Sequence, residues 1–123
     1  MSDTFSNHFY IEGPYEDLLN VTKDLDFTDG SIDYDGWEIE GGSAVLHFDG
    51  YYCPLDELEK ASAKYPSLKI TFRFTQELLI AGLLIYEDGK IKLQSYYNWD
   101  TGTSSVTTAQ EWDYLVLFLF RRL

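Results

Sequence analysis

Leu68-Lys69-Ile70-Thr71-Phe72-Arg73-Phe74 alternates large apolar with polar side chains at a period of two. Successive side chains of an extended strand point to opposite faces, so the segment reads as a strand with Leu68, Ile70, Phe72 and Phe74 turned into a core. Lys69, Thr71 and Arg73 then line the other face. Just upstream, Pro66 stops a helix that Pro54 opens. That helix has acids early (Asp56, Glu57, Glu59), bases late (Lys60, Lys64), and a narrow stripe of Leu55, Leu58, Ala61, Ser62 and Tyr65.

The same period runs further upstream. Phe9 and Ile11 alternate with His8, Tyr10 and Glu12 up to Gly13-Pro14, where a second helix begins with Glu16 and Asp17 at its positive end. Leu18, Leu19, Val21, Thr22 and Leu25 give it an apolar side, and it ends near Asp24 in an acidic loop. Gly36 to Asp49 reads as a hairpin turning at Gly41-Gly42.

Downstream, Leu78 to Trp99 is a hairpin around Glu87-Asp88-Gly89, since Asp-Gly between two apolar runs is a strong turn signal. Thr108-x-x-Glu111 resembles a capping box, which predicts a helix over 108–122. A buried strand from Tyr114 to Phe120 is the competing assignment.

Strand, helix, hairpin, helix, strand gives an α+β expectation: a ferredoxin-like βαββαβ sandwich extended by an extra β-hairpin (78–99) and a C-terminal helix (108–122). At 123 residues one domain is expected, residues 24–40 forming an acidic loop. The inward set is Phe9, Ile11, Trp37, Ile39, Leu46, Phe48, Leu68, Ile70, Phe72 and Phe74. The outward set is His8, Tyr10, Glu12, Glu38, Glu40, Val45, His47, Asp49, Lys69, Thr71 and Arg73.

Asn7 to Pro14, Leu46 to Pro54 and Ala63 to Ile70 resemble the Api92-like or YubB-like domains of phage, plasmid and bacterial genomes. The likeness covers residues 5–97 and rests on a Gly-Pro helix start, an aromatic-to-Pro helix start and a Tyr-Pro helix stop. It implies a ferredoxin-like fold and no established activity. Asp49-Gly50-Tyr51-Tyr52 departs from the family, where a Thr-Ala-Trp-like stretch is usual.

Charge narrows the function. The chain carries 21 acids against nine bases, net -12, with 21 aromatic residues among its 45% hydrophobic content. So many rings exclude a disordered acidic tail, and the net charge disfavours direct binding to nucleic acid or to an anionic membrane. Residues 1–60 hold 15 of the acids and only Lys23 and Lys60 as bases. Within them Asp24, Asp26, Asp29, Asp33, Asp35, Glu38 and Glu40 occur with no intervening Lys or Arg, a run that needs solvent or a cationic partner. A single cysteine, Cys53, and the absence of a signal-like N-terminus fit a cytoplasmic location.

Few residues carry recognisable chemistry. His8 and His47 are expected on adjacent strands and one face, near Glu12, Glu38 or Asp49, and two histidines with a carboxylate are a donor set for zinc or iron. Against this stands the simpler expectation of surface histidines paired with acids. Asp29, Ser31, Asp33 and Glu40 fit a calcium-loop register, but Tyr34 occupies its glycine position. Cys53 at a helix start invites a lowered thiol pKa, with no base and orienting acid to complete a nucleophile. No cofactor is implied.

The expectation is a non-enzymatic acidic protein-binding domain, an inhibitor or immunity-type protein. It would act on a basic nucleic-acid-processing partner (nuclease, restriction or CRISPR effector) as a nucleic acid mimic or a plug. Its contact residues would be Asp26, Asp29, Asp33, Tyr34, Asp35, Trp37, Glu38, Glu40, Tyr51 and Tyr52, the rings anchoring and the acids steering. Two alternatives stand beside it. One is a small metal-dependent enzyme using His8, His47 and Asp49; the other is a scaffold that forms a homodimer through Trp112 to Phe120.

Overall fold

The computed structural model describes residues 4–27, 31–34, 36–51, 53–76, 80–98 and 101–106. Ten elements follow one another: β1 (Phe5–Glu12), α1 (Tyr15–Asp24), β2 (Ser31–Tyr34), β3 (Glu38–Glu40), β4 (Ser43–Gly50), α2 (Leu55–Lys64), β5 (Lys69–Gln76), β6 (Ile80–Glu87), β7 (Lys90–Asn98) and β8 (Thr103–Val106). The strands form one antiparallel sheet in the order β2-β4-β1-β5-β6-β7-β8, with β3 also paired to β4.

This corrects the expected ferredoxin-like βαββαβ sandwich with an appended hairpin. The chain is richer in strand than that layout: β6, β7 and β8 continue the main sheet past β5, and β2 lies within the stretch read as an acidic loop. The reason is visible in β6, whose Ala81, Gly82, Leu83 and Leu84 are buried in succession. A strand apolar on both faces is stable only inside a sheet, not at the margin of a smaller one. The predicted helix at 108–122 lies outside the described residues.

Local chemistry set the helix limits. Pro14 and Pro54 stand immediately before α1 and α2, where a missing N–H costs nothing, and Pro66 follows α2. At the β6–β7 turn Asp88 and Gly89 both have positive φ, 58° and 76°, as a two-residue turn matched to the strand twist requires.

Both helices cover the same face of the sheet. Leu18 and Val21 of α1 and Leu58 and Ala61 of α2 pack on Phe9, Ile11, Leu46, Phe48, Ile70, Phe72, Phe74 and Leu84. Phe27, beyond α1, stacks on Phe48 at 4.8 Å and on Phe9 at 5.4 Å, plugging the core from inside the acidic run. Burying one such ring contributes about 2–3 kcal/mol. On the opposite face Ala81, Leu83 and Leu93 form a second buried cluster, with Arg73 and Ser95 buried on the same side. That face is closed around Arg73, Leu83, Leu93 and Ser95 and open over Tyr10 and Val45 of β1 and β4.

Candidate functional site: the open face of the sheet

Register decides what meets on the open part. Tyr10 of β1 lies opposite Val45 of β4, and Val45 lies opposite Glu38 of β3. One row over, Glu40, Ser43, Glu12 and Lys69 cross β3, β4, β1 and β5. Directly opposed side chains of antiparallel strands have Cβ atoms about 5 Å apart, so each row is a line of contacts. Tyr10 is 43% and Val45 44% exposed, side by side, while Glu12, Glu38 and Glu40 are exposed around them. An apolar centre within an acidic rim is the composition of a protein contact surface.

On the other side of Tyr10 is a polar cluster. His8 and His47 are register partners, and their rings stack with centroids 4.3 Å apart and planes 14° from parallel. Ser6 Oγ lies 3.3 Å from His8 Nε2 and 3.2 Å from His47 Nε2, and Asp49 Oδ1 is 3.2 Å from that same His47 nitrogen. The cluster is a surface one, His47 and Asp49 having 48% and 40% of their side chains exposed.

This geometry bears on the reading of His8, His47 and Asp49 as a metal-dependent site. An imidazole binds a metal along a lone pair in its ring plane at about 2.0–2.1 Å. In the stacked pair both Nε2 atoms lie against Ser6 Oγ, so a hydroxyl stands where an ion shared by the two rings would have to sit. No group of three or more His, Cys, Asp or Glu able to hold a metal occurs among the described residues. Nor do Ser6, His47 and Asp49 form a relay, because the hydroxyl and the carboxylate meet one ring nitrogen instead of opposite ones.

Of the contact residues read from the sequence, Glu38 and Glu40 stand on this face. Trp37 and Tyr34 turn toward the core. The Trp37 ring packs 5.6 Å from Phe9 and its Nε1–H donates to Leu25 O at 2.8 Å, and Tyr34 packs edge-on to Phe48 at 6.2 Å. Both are half-buried at the core margin. Asp26 is exposed beyond α1, Tyr51 is exposed after β4, and Asp33 is in β2 opposite Asp49. Asp29, Asp35 and Tyr52 lie outside the described residues.

The acidic stretch is therefore no simple loop. β2 and β3 run end to end along β4, facing Gly50–Phe48 and Val45–Ser43 respectively, with Gly36 (φ 87°) between them. Acidic side chains on so short and broken an edge discourage strand addition there.

Other acids near this stretch have structural duties. Asp24 accepts from Tyr65 Oη at 2.6 Å and Lys64 Nζ at 2.9 Å, joining the ends of α1 and α2. The Tyr65 bond first, then the Lys64 bond, hold the Asp24 carboxyl below the usual range. Ser67 donates to Asp17. Burial, then Glu57, push the Cys53 thiol up to about 12, the reverse of what a nucleophile at a helix start needs.

Tyr10, Val45 and Glu12 were absent from the residues singled out for contact. Alternation places them on this face, but composition does not say which part of a sheet face stays uncovered. Comparison with protein-family models, curated proteins and solved structures finds no match to the chain.

Proposed function

We propose that this chain is an acidic protein-binding domain whose open face, centred on Tyr10 and Val45 and rimmed by Glu12, Glu38, Glu40 and Asp49, docks a basic protein. The observation that carries the reading is the exposed Tyr10–Val45 pair bordered by Glu12, Glu38 and Glu40 in a chain of net charge -12. Large amphipathic rings at the centre of a patch supply most contact energy, and the surrounding charge speeds encounter and rejects acidic partners. Proteins that process nucleic acid present basic, phosphate-binding surfaces. An inhibitor or immunity-type role against such a protein in the cytoplasm, with this face standing in for the nucleic acid, matches the charge. The resemblance to domains of mobile elements points the same way. No helix among the described residues is long and apolar enough to cross a membrane.

The test is affinity capture of the tagged chain from host lysate at low and high salt, with Tyr10→Ala and with Glu38→Gln/Glu40→Gln. A basic protein retained at low salt, weakened by salt, lost with Tyr10→Ala and less sensitive to salt with Glu38→Gln/Glu40→Gln, is the expected result. Capture of no basic protein, or of one indifferent to both variants, overturns the proposal.

A further inference from the structure

On the helix side of the sheet, far in the chain order from the β3–β4 edge, a groove of about 330 Å³ opens between α2 and the β6–β7 hairpin. Its volume is at the small end of ligand pockets, where a small molecule rather than a protein loop fits. Leu55, Leu84 and Ile91 supply apolar wall, Tyr86 and Tyr96 supply rings, and Asp56 and Glu59 place two carboxylates on its α2 side. Lys90 is the one cation lining it, so its charged side chains sum to one negative charge.

Three acceptors are available there. Asp56 and Glu59 are three apart on a helix, hence neighbours on its surface, and neither is held in an ion pair or hydrogen bond among the described residues. Tyr86 is only 6% exposed, yet its hydroxyl forms no hydrogen bond among the described residues. That oxygen is not among the buried unpartnered polar atoms, so it is open to the groove that Tyr86 lines and can accept a hydrogen bond there. Burial first, then Tyr96, Glu59 and Cys53, push this hydroxyl up to about 12, so it is protonated at neutral pH and acts as a neutral hydrogen-bonding group.

We propose that this groove binds a small organic monocation, a primary amine on an apolar or aromatic stem. An ammonium has three donors and no acceptor, which suits two carboxylates and a phenol oxygen. The Tyr86 and Tyr96 rings that line the groove are partners for a cation, and the Leu55, Leu84 and Ile91 side chains accept the stem. An anion of the same shape would meet Lys90 but also both acids.

The experiment titrates the isotope-labelled chain with 2-phenylethylamine, 2-phenylethanol and 3-phenylpropionate, followed by amide chemical shifts. The expected result is saturable shifts at Leu84, Gly89 and Ile91 with the amine, and binding of the alcohol weaker by about tenfold or more, as loss of charge-assisted hydrogen bonds implies. Asp56→Asn with Glu59→Gln, both at exposed sites, removes that preference without disturbing the fold, and Tyr86→Phe weakens the amine. Equal binding of amine and alcohol, preference for the carboxylate, shifts elsewhere, or no saturation by about 10 mM overturns the proposal. The site is separate from the open sheet face, so either proposal can fail alone.

Discussion

His8 and His47 oppose each other across β1 and β4 with ring centroids 4.3 Å apart, and Ser6 bridges their Nε2 atoms. The pair borders Tyr10 and Val45 on the open face, so its geometry bears on partner binding more directly than on metal chemistry.

If the stack is a packing contact, its energy is that of an exposed ring pair. A double-mutant cycle with His8→Ala and His47→Ala should give a coupling of no more than about 1.5 kcal/mol in urea unfolding. A much larger coupling would show that the rings hold something besides each other.

The Asp24 clamp ties stability to acid. Its carboxyl is held below its ordinary value in the fold, so the contribution is complete above the unfolded value near 3.8 and disappears as pH falls through the folded one. Asp24→Asn should lose a little stability at pH 7 and match the parent at the acid end of a urea series. Both partners are exposed, which keeps the effect small. Equal stability of the two proteins across the series would mean that the clamp contributes nothing.

Alkali acts in the opposite sense. Cys53 and Tyr86 are each pushed up to about 12 by burial, from ordinary values of 9.0 and 10.0. Above those values the unfolded chain releases protons that the folded chain keeps, so stability falls as pH rises from about 9 toward 12. Cys53→Ala and Tyr86→Phe should each flatten that decline, and the parent thiol should react slowly with a disulfide reagent at pH 8. Rapid reaction in the folded protein would contradict the burial.

Gly82 shows why part of the fold was hidden in the sequence. A Cβ there would come within 2.2 Å of the Phe74 ring, so the glycine admits a side chain from the strand beside it. Gly82→Ala should cost about 1–3 kcal/mol, and Phe74→Leu should recover part of it. In a linear reading Gly82 merely interrupts an apolar run. The alternating segments, the proline-bounded helices and the Asp88-Gly89 turn were legible because each is a local rule. The extent of the sheet was not, since whether β6 sits inside or at the rim depends on pairing between distant residues. The acidic run was legible only in part: alternation placed Trp37 inward, but Phe27 is drawn from the run into the core by rings far away in sequence. Of the site, the parity of Tyr10, Val45, Glu12 and His47 was readable, and the closure of the face over Leu83 and Leu93 was not.

Tyr10 separates stability from binding most sharply. Its ring is 43% exposed, its register partners are Val45 and Thr71, and it belongs to neither buried cluster. Tyr10→Ala should therefore change unfolding free energy by about 0.5–1 kcal/mol, the loss of cross-strand contact. If the ring anchors a basic partner, the same change should weaken that complex by more than about tenfold, since central aromatic anchors commonly carry 2 kcal/mol or more. Glu38→Gln/Glu40→Gln at the rim should instead lower the association rate and its salt dependence, with dissociation little altered. Surface plasmon resonance with the captured partner at two salt concentrations reads both. A large loss of stability in Tyr10→Ala would place the ring in the fold and remove it from the contact; equal effects of the three changes on dissociation would deny the patch a centre and a rim.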